Sequence, residues 1–92
     1  MKYSINPDVV LVTVLDESMF VYVNSSQGSI ESMRSTNETG AYLWSLLEQG
    51  MEIEDIVANV TRDYEISRDE AESVCMAFIR SLIEAGYITT EE

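Results

Sequence analysis

Apolar residues crowd three short stretches in the first third of the chain and then recur every three or four positions toward its end. Val9 to Leu15 is an unbroken run rich in β-branched side chains, closed by Asp16-Glu17-Ser18, and Met19 to Asn24 (MFVYVN) is a second run of the same kind. Both predict strands, because branched and aromatic side chains suit a pleated surface and the polar clusters between them suit tight turns. Met1 to Asp8 leads into the first run through Asn6-Pro7, a natural turn since proline fixes its own φ and restricts the residue before it. Ser25-Ser26-Gln27-Gly28 makes the next turn, and Ser29 to Ser35 is the third strand of an antiparallel meander. This last strand is poor in apolar residues, and strict alternation puts Ile30 and Met33 on opposite faces. Either a bulge resets the count, or the strand needs a partner to be fully ordered.

From residue 37 onward the period changes from two to helical. Asn37 is placed to cap a first helix that ends near Gln49, with Gly50 as its left-handed stop. Thr39, Leu43, Leu46 and Leu47 share one face of it, with Tyr42 and Trp44 on the shoulders. A second helix spans Ile53 to Tyr64, where Ile56, Val57 and Val60 repeat at helical spacing behind an acidic first turn that suits the helix dipole. The third helix has the sharpest limits: Ser67-Arg68-Asp69-Glu70 is a capping box and Gly86 the stop, giving Arg68 to Ala85. Its predicted core stripe is Ala71, Val74, Cys75, Phe78, Leu82 and Ala85. Met76, Ile79 and Ile83 lie on one flank of that stripe, while Ser73, Arg80 and Glu84 face water. Tyr87 and Ile88 follow as an apolar tail that folds back on the helices. The expected fold is α+β and winged-helix-like: one domain over residues 1–92, with a β-meander (1–36) followed by three α-helices (37–88), in the order βββααα.

Composition narrows the function. The 92 residues carry a net charge of -12, and it is unevenly spread. Residues 1–36 hold Lys2 and Arg34 against Asp8, Asp16, Glu17 and Glu31, whereas the rest holds 13 acids against three arginines. An acidic helical part repels nucleic-acid phosphates and anionic lipid and favours neutral or basic partners. The Val9–Leu15 run is too short for a signal peptide or a membrane span, and a single cysteine, Cys75, excludes an internal disulfide. The expectation is a cytoplasmic protein.

Chemistry is scarce. The chain has no histidine, so one cysteine on a helix's core face would be the main candidate for nucleophilic or metal chemistry, and a structural thiol is the simpler reading of Cys75. One Cys without His builds no zinc site, the acids do not follow calcium-loop spacing, and no glycine loop cradles phosphate. No enzyme, metal or cofactor is expected. A winged helix that reads DNA, or an assembly factor of that shape, is the rival reading, but Arg68 and Arg80 on the third helix are outnumbered by Asp69, Glu70, Glu72 and Glu84. What remains is the third strand, an unpaired edge offering a row of backbone donors and acceptors to another chain.

The run Ser35-Thr36-Asn37-Glu38-Thr39-Gly40, then Leu43-Trp44 and Leu46-Leu47, Gly50, Ile53, Ile56, Val57, Tyr64 and the stretch FIRSLIEAGYI from Phe78 to Ile88, resembles the PqqD-like family of precursor-peptide recognition elements over nearly the whole chain. The family's usual aromatic residue in the third strand falls here at Met33 or Arg34, and its leucine before the Asn is Thr36. The resemblance implies a non-catalytic module that binds the leader segment of a ribosomally made precursor peptide. It would present that peptide to a modifying enzyme, such as a radical SAM enzyme, a leader peptidase or a cyclase. It also implies that the leader adds as a strand to the edge of the third strand and lies against the third helix. Carried onto this chain, Ser29, Ile30, Glu31, Ser32, Met33 and Arg34 supply the edge, and Ile30, Met76, Ile79 and Ile83 the apolar wall. Arg34 would meet a leader carboxylate and Glu72 a leader lysine or arginine. A homodimer through the sheet edge is a related expectation.

Overall fold

The computed structural model describes residues 2–24 and 26–91, so Met1, Glu92 and Ser25 of the predicted turn lie outside the described residues. The elements run β1 (Lys2–Ile5), β2 (Val9–Val14), β3 (Glu17–Asn24), β4 (Ser29–Thr36), α1 (Glu38–Glu48), α2 (Ile53–Tyr64), α3 (Arg68–Ala85) and β5 (Ile88–Glu91). β2, β3 and β4 form an antiparallel sheet in that order, and three helices follow it.

The chain ends differ from expectation. Lys2–Ile5, read as an irregular lead-in, is a strand, and it pairs antiparallel with β5, Tyr3 opposite Thr90 and Ile5 opposite Ile88. Asn6 locks this second sheet to the helical part: its backbone N–H donates to the Tyr87 carbonyl at 2.9 Å and its Nδ2 to the Gly86 carbonyl at 3.1 Å. The tail after α3 therefore folds back as a paired strand, with Tyr87 and Ile88 each only 1% exposed.

At the hairpin between β2 and β3, Val14 pairs with Glu17, so Leu15 belongs to a two-residue turn and not to the strand. In the β3–β4 ladder Tyr22 faces Ser32 but Val23 faces Ile30, which leaves Glu31 as an extra residue. That bulge resolves the alternation problem: Ile30 and Met33, opposite Val23 and Val21, lie on one face. Ser32, Arg34 and Thr36, opposite Tyr22, Phe20 and Ser18, lie on the other. Asn24 ties down the turn that leads into β4, its Oδ1 accepting from the Ser26 and Gln27 N–H groups and its Nδ2 donating to Glu31 at 3.0 Å.

The inner face of the sheet closes on the helices through aromatic rings. Phe20 meets Trp44 edge-on with centroids 4.8 Å apart, and Tyr87 packs between Phe20 at 5.6 Å and Tyr22 at 6.0 Å. Asn37 Oδ1 accepts from the Gly40 N–H at 2.8 Å, capping α1, and Ser67 Oγ accepts from the Glu70 N–H at 3.2 Å, capping α3. Gly40 also allows a close approach, since a Cβ there would collide with the Thr36 hydroxyl and press on Phe78 Cε1. Absence of a side chain at this point lets α1, β4 and α3 meet.

Candidate functional site

β4 is an edge strand. It pairs with β3 on one side, no described strand pairs with its other side, and every residue from Ser29 to Ser35 is exposed. Beside it runs a slot of about 330 Å³ between the strand and α3. Phe20, Phe78 and Leu82 make its floor, Arg34, Ser35 and Thr36 its strand wall, and Ser81 its helix wall, with Asn37 at one end. Phe20 and Leu82 are buried, while Phe78 and Ser81 are half-buried, so the floor offers an apolar surface that a peptide side chain can reach.

Two polar links span from β4 to the α3 region. Arg34 Nη1 donates to the Ser81 carbonyl at 3.5 Å, and the Ser32 and Tyr87 hydroxyls are 3.0 Å apart. Among the described residues Arg34 is the one charged residue that lines the slot. A 3.5 Å contact is at the outer limit of a hydrogen bond, so the guanidinium gives up little by turning toward an incoming carboxylate.

The predicted site residues divide into two groups. Ser29 to Arg34 lie together on β4, but only Ser32 and Arg34 are on its inner face, and of these only Arg34 lines the slot. Glu31 is bulged, and Ile30 and Met33 project from the opposite face of the sheet, 59% and 57% exposed. Glu72, Met76, Ile79 and Ile83 do not wall β4. Met76, Ile79 and Ile83 line a separate depression of about 320 Å³ with Tyr3 and Thr90, on the α3 flank that faces the β1–β5 sheet. Glu72 sits with Met76 and Arg68 of α3 beside Ile53 and Val57 of α2. Ile79 is 3% exposed and belongs to the core, whereas Val74, assigned to the core stripe, is 42% exposed. The stripe is thus rotated by about half a residue's turn toward Ile79, where α2 and β5 pack on α3, leaving Val74 exposed and Phe78 half-buried against Phe20. The slot's floor had a sequence signal, since Phe78 and Leu82 stood in the predicted stripe. Ser81 and Phe20 had none.

The remaining reactive candidate is inert. Cys75 is fully buried at 0% exposure, and burial pushes its thiol pKa up. Among the described residues no cluster of three or more His, Cys, Asp or Glu is arranged to hold a metal, and no helix is long and apolar enough to cross a membrane. Among the described residues the slot presents an unpaired strand edge, an apolar floor and the Arg34 guanidinium.

Residues 21–88 match the family described as coenzyme PQQ synthesis protein D (PqqD). No curated protein matches the chain. Among solved structures, TbiB1 in complex with the TbiA(beta) leader peptide is similar at 25% identity and a TM-score of 0.79, covering 96% of each chain. Lasso peptide synthetase B1 complexed with the leader peptide is similar at 22% identity and a TM-score of 0.77, covering 96% of this chain and 98% of that one, a likeness of fold.

Proposed function

The chain belongs to the PqqD family, and on that premise we propose that it is a non-catalytic module that captures the leader of a ribosomal precursor peptide and presents it to a modifying enzyme. The leader adds as a strand to the outer edge of β4 and lays alternate side chains into the slot against α3. The observation that carries this reading is the conjunction of a fully exposed edge strand with an apolar slot directly beside it. Strand addition draws affinity from main-chain hydrogen bonds and specificity from pockets for every second side chain, and β4 with its slot supplies both. The two similar structures are proteins with leader peptides bound.

The residues assigned to the peptide are Ser29 to Arg34 along the edge, with Phe78, Ser81 and Leu82 beneath it. A leader side chain over Phe78 is apolar. Its neighbour two positions along, on the same face, is placed to meet Arg34 and is favoured as Asp or Glu. The acidic exterior of α3, with Asp69, Glu70, Glu72 and Glu84 against Arg68 and Arg80, argues against the DNA-reading alternative.

Amide hydrogen exchange tests the proposal. A synthetic leader, taken from the precursor gene neighbouring this chain's own, should slow exchange in β4 and the Val74–Leu82 side of α3. Protection confined to β2, or to the depression around Met76, would place the peptide elsewhere and end this reading.

A further inference from the structure

β4 presents its outer edge in two unequal pieces. From Thr36 back to Ser32 its ladder with β3 is regular, Thr36 opposite Ser18 and Ser32 opposite Tyr22, and then Glu31 intrudes as an extra residue before Ile30. The preceding turn holds that bulge in place: Asn24 Nδ2 donates to Glu31 at 3.0 Å, while the Asn24 carbonyl accepts from the Gln27 and Gly28 N–H groups at 3.2 and 2.8 Å. At the other end Asn37 caps α1, and the chain turns into helix at Glu38. The slot lies along the regular piece. Arg34, Ser35 and Thr36 form its strand wall and Asn37 its end, and among the described residues no β4 position before Arg34 borders it.

We propose that the peptide-pairing edge is the Ser32–Thr36 window alone, closed at one end by the Glu31 bulge and at the other by the Asn37 cap, so that a leader is read over a segment of about five residues. An extra residue breaks the two-residue rhythm of an edge and twists it away. A peptide that keeps one residue opposite each β4 residue past Glu31 sends its later side chains to the wrong face, and one that skips Glu31 loses its hydrogen bond at that step. Only Ser29 and Ile30 of β4 lie beyond the bulge, too short a piece to offset the entropy of ordering more peptide. The window rests on the strand addition proposed above and narrows the edge it uses. The ligand it fits is a short extended core, apolar over Phe78 and acidic two positions along beside Arg34, whose flanking residues stay unpaired.

Amide exchange read residue by residue by NMR, on the full chain with the synthetic leader of the neighbouring precursor gene, tests the window. Binding should slow the outward amides between Ser32 and Thr36 by about tenfold or more and leave those of Ser29, Ile30 and Glu31 within about twofold of the free protein. Trimming the leader from either end should change its affinity by less than about threefold until the paired segment is reached, and by more than about tenfold once it is cut. Deleting Glu31 makes the ladder regular through Ser29 and should carry the slowed amides on to Ile30 or Ser29, with circular dichroism confirming the fold. The wild-type exchange and trimming series decide the matter if that variant does not fold. Slowed amides at Ser29 to Glu31 in the wild type, a steady loss of affinity with each residue trimmed outside the window, or an unchanged footprint in a folded deletion variant overturns the window while strand addition at β4 holds. No slowing anywhere in β4 overturns strand addition itself, and the window with it.

Discussion

Arg34 and Ser81 face each other across the slot, the guanidinium of the edge strand donating to a carbonyl of α3 at 3.5 Å. The bond joins two elements that a leader strand would lie between, and it holds the slot's only cation over an apolar floor of Phe20, Phe78 and Leu82. Free and occupied slots would therefore differ chiefly in what this guanidinium touches.

Arg34→Glu should weaken binding of a leader with an acidic residue at the facing position by about fivefold to tenfold, the range of a partly exposed ion pair. Arg34→Ala should lose less. Fluorescence anisotropy of a labelled leader at low and high salt checks this: the gap between wild type and Arg34→Glu should narrow as salt screens the pair. A charge-reversed leader should prefer the Arg34→Glu protein.

The two flanks of α3 should respond differently. Ile79 is core, so Ile79→Ala should cost about 2–4 kcal/mol in chemical denaturation, and Ile79→Glu should leave the chain unfolded. Ser81→Trp fills the slot from its rim. It should keep the unfolding midpoint within a few degrees while abolishing leader binding in the same titration.

Neighbouring residues of β4 point their N–H groups in opposite directions, toward β3 or outward. Of Ser32→Pro and Met33→Pro, one should therefore remove an outward donor, weakening peptide binding with little change in stability. The other should break the β3 ladder and lower stability by about 3 kcal/mol. Titration and thermal melting of the pair distinguish them. Equal binding by both folded variants would exclude strand addition at this edge.

The limits of α1 and α3 were legible because they are set locally: Asn37, Ser67 with Glu70, and Gly86 act within four residues of themselves. The three-stranded sheet was legible for a similar reason, its turns being short. β1 was not, because Lys2–Ile5 owes its strand to residues more than 80 positions away, and its own polar–apolar pattern is too short to show it. The bulge at Glu31 was one of two open readings, since so short an alternation cannot say where an extra residue sits. The site was half legible. Period fixes where the apolar stripe of α3 runs, but Val74 and Ile83 on its two flanks are equally exposed at 42%, and only the packing of α2 and β5 decides that Ile79, read as a flank residue, is covered.

A last prediction concerns the contact that ties α1 to α2. The Tyr42 hydroxyl donates to Asp63, whose other oxygen accepts from Arg62 Nε at 2.9 Å. The Arg62 guanidinium, and then the Tyr42 hydroxyl, hold the Asp63 carboxyl below the usual carboxylate range. Burial, and then the bond to Asp63, push the Tyr42 hydroxyl up to about 12. The two shifts act at opposite ends of the pH scale. Asp63 is more acidic folded than unfolded, so its contribution is present above the unfolded carboxylate pKa and is lost as pH falls through the lower, folded value. Tyr42 is less acidic folded, so its contribution is full below a pH of about 10 and is lost as pH rises toward about 12. Urea denaturation across pH should therefore show Tyr42→Phe flattening the alkaline fall in stability, and Asp63→Asn flattening part of the acid fall as well as the alkaline one. Both residues lie away from the slot, so leader affinity at neutral pH should be the same in both variants as in the wild type.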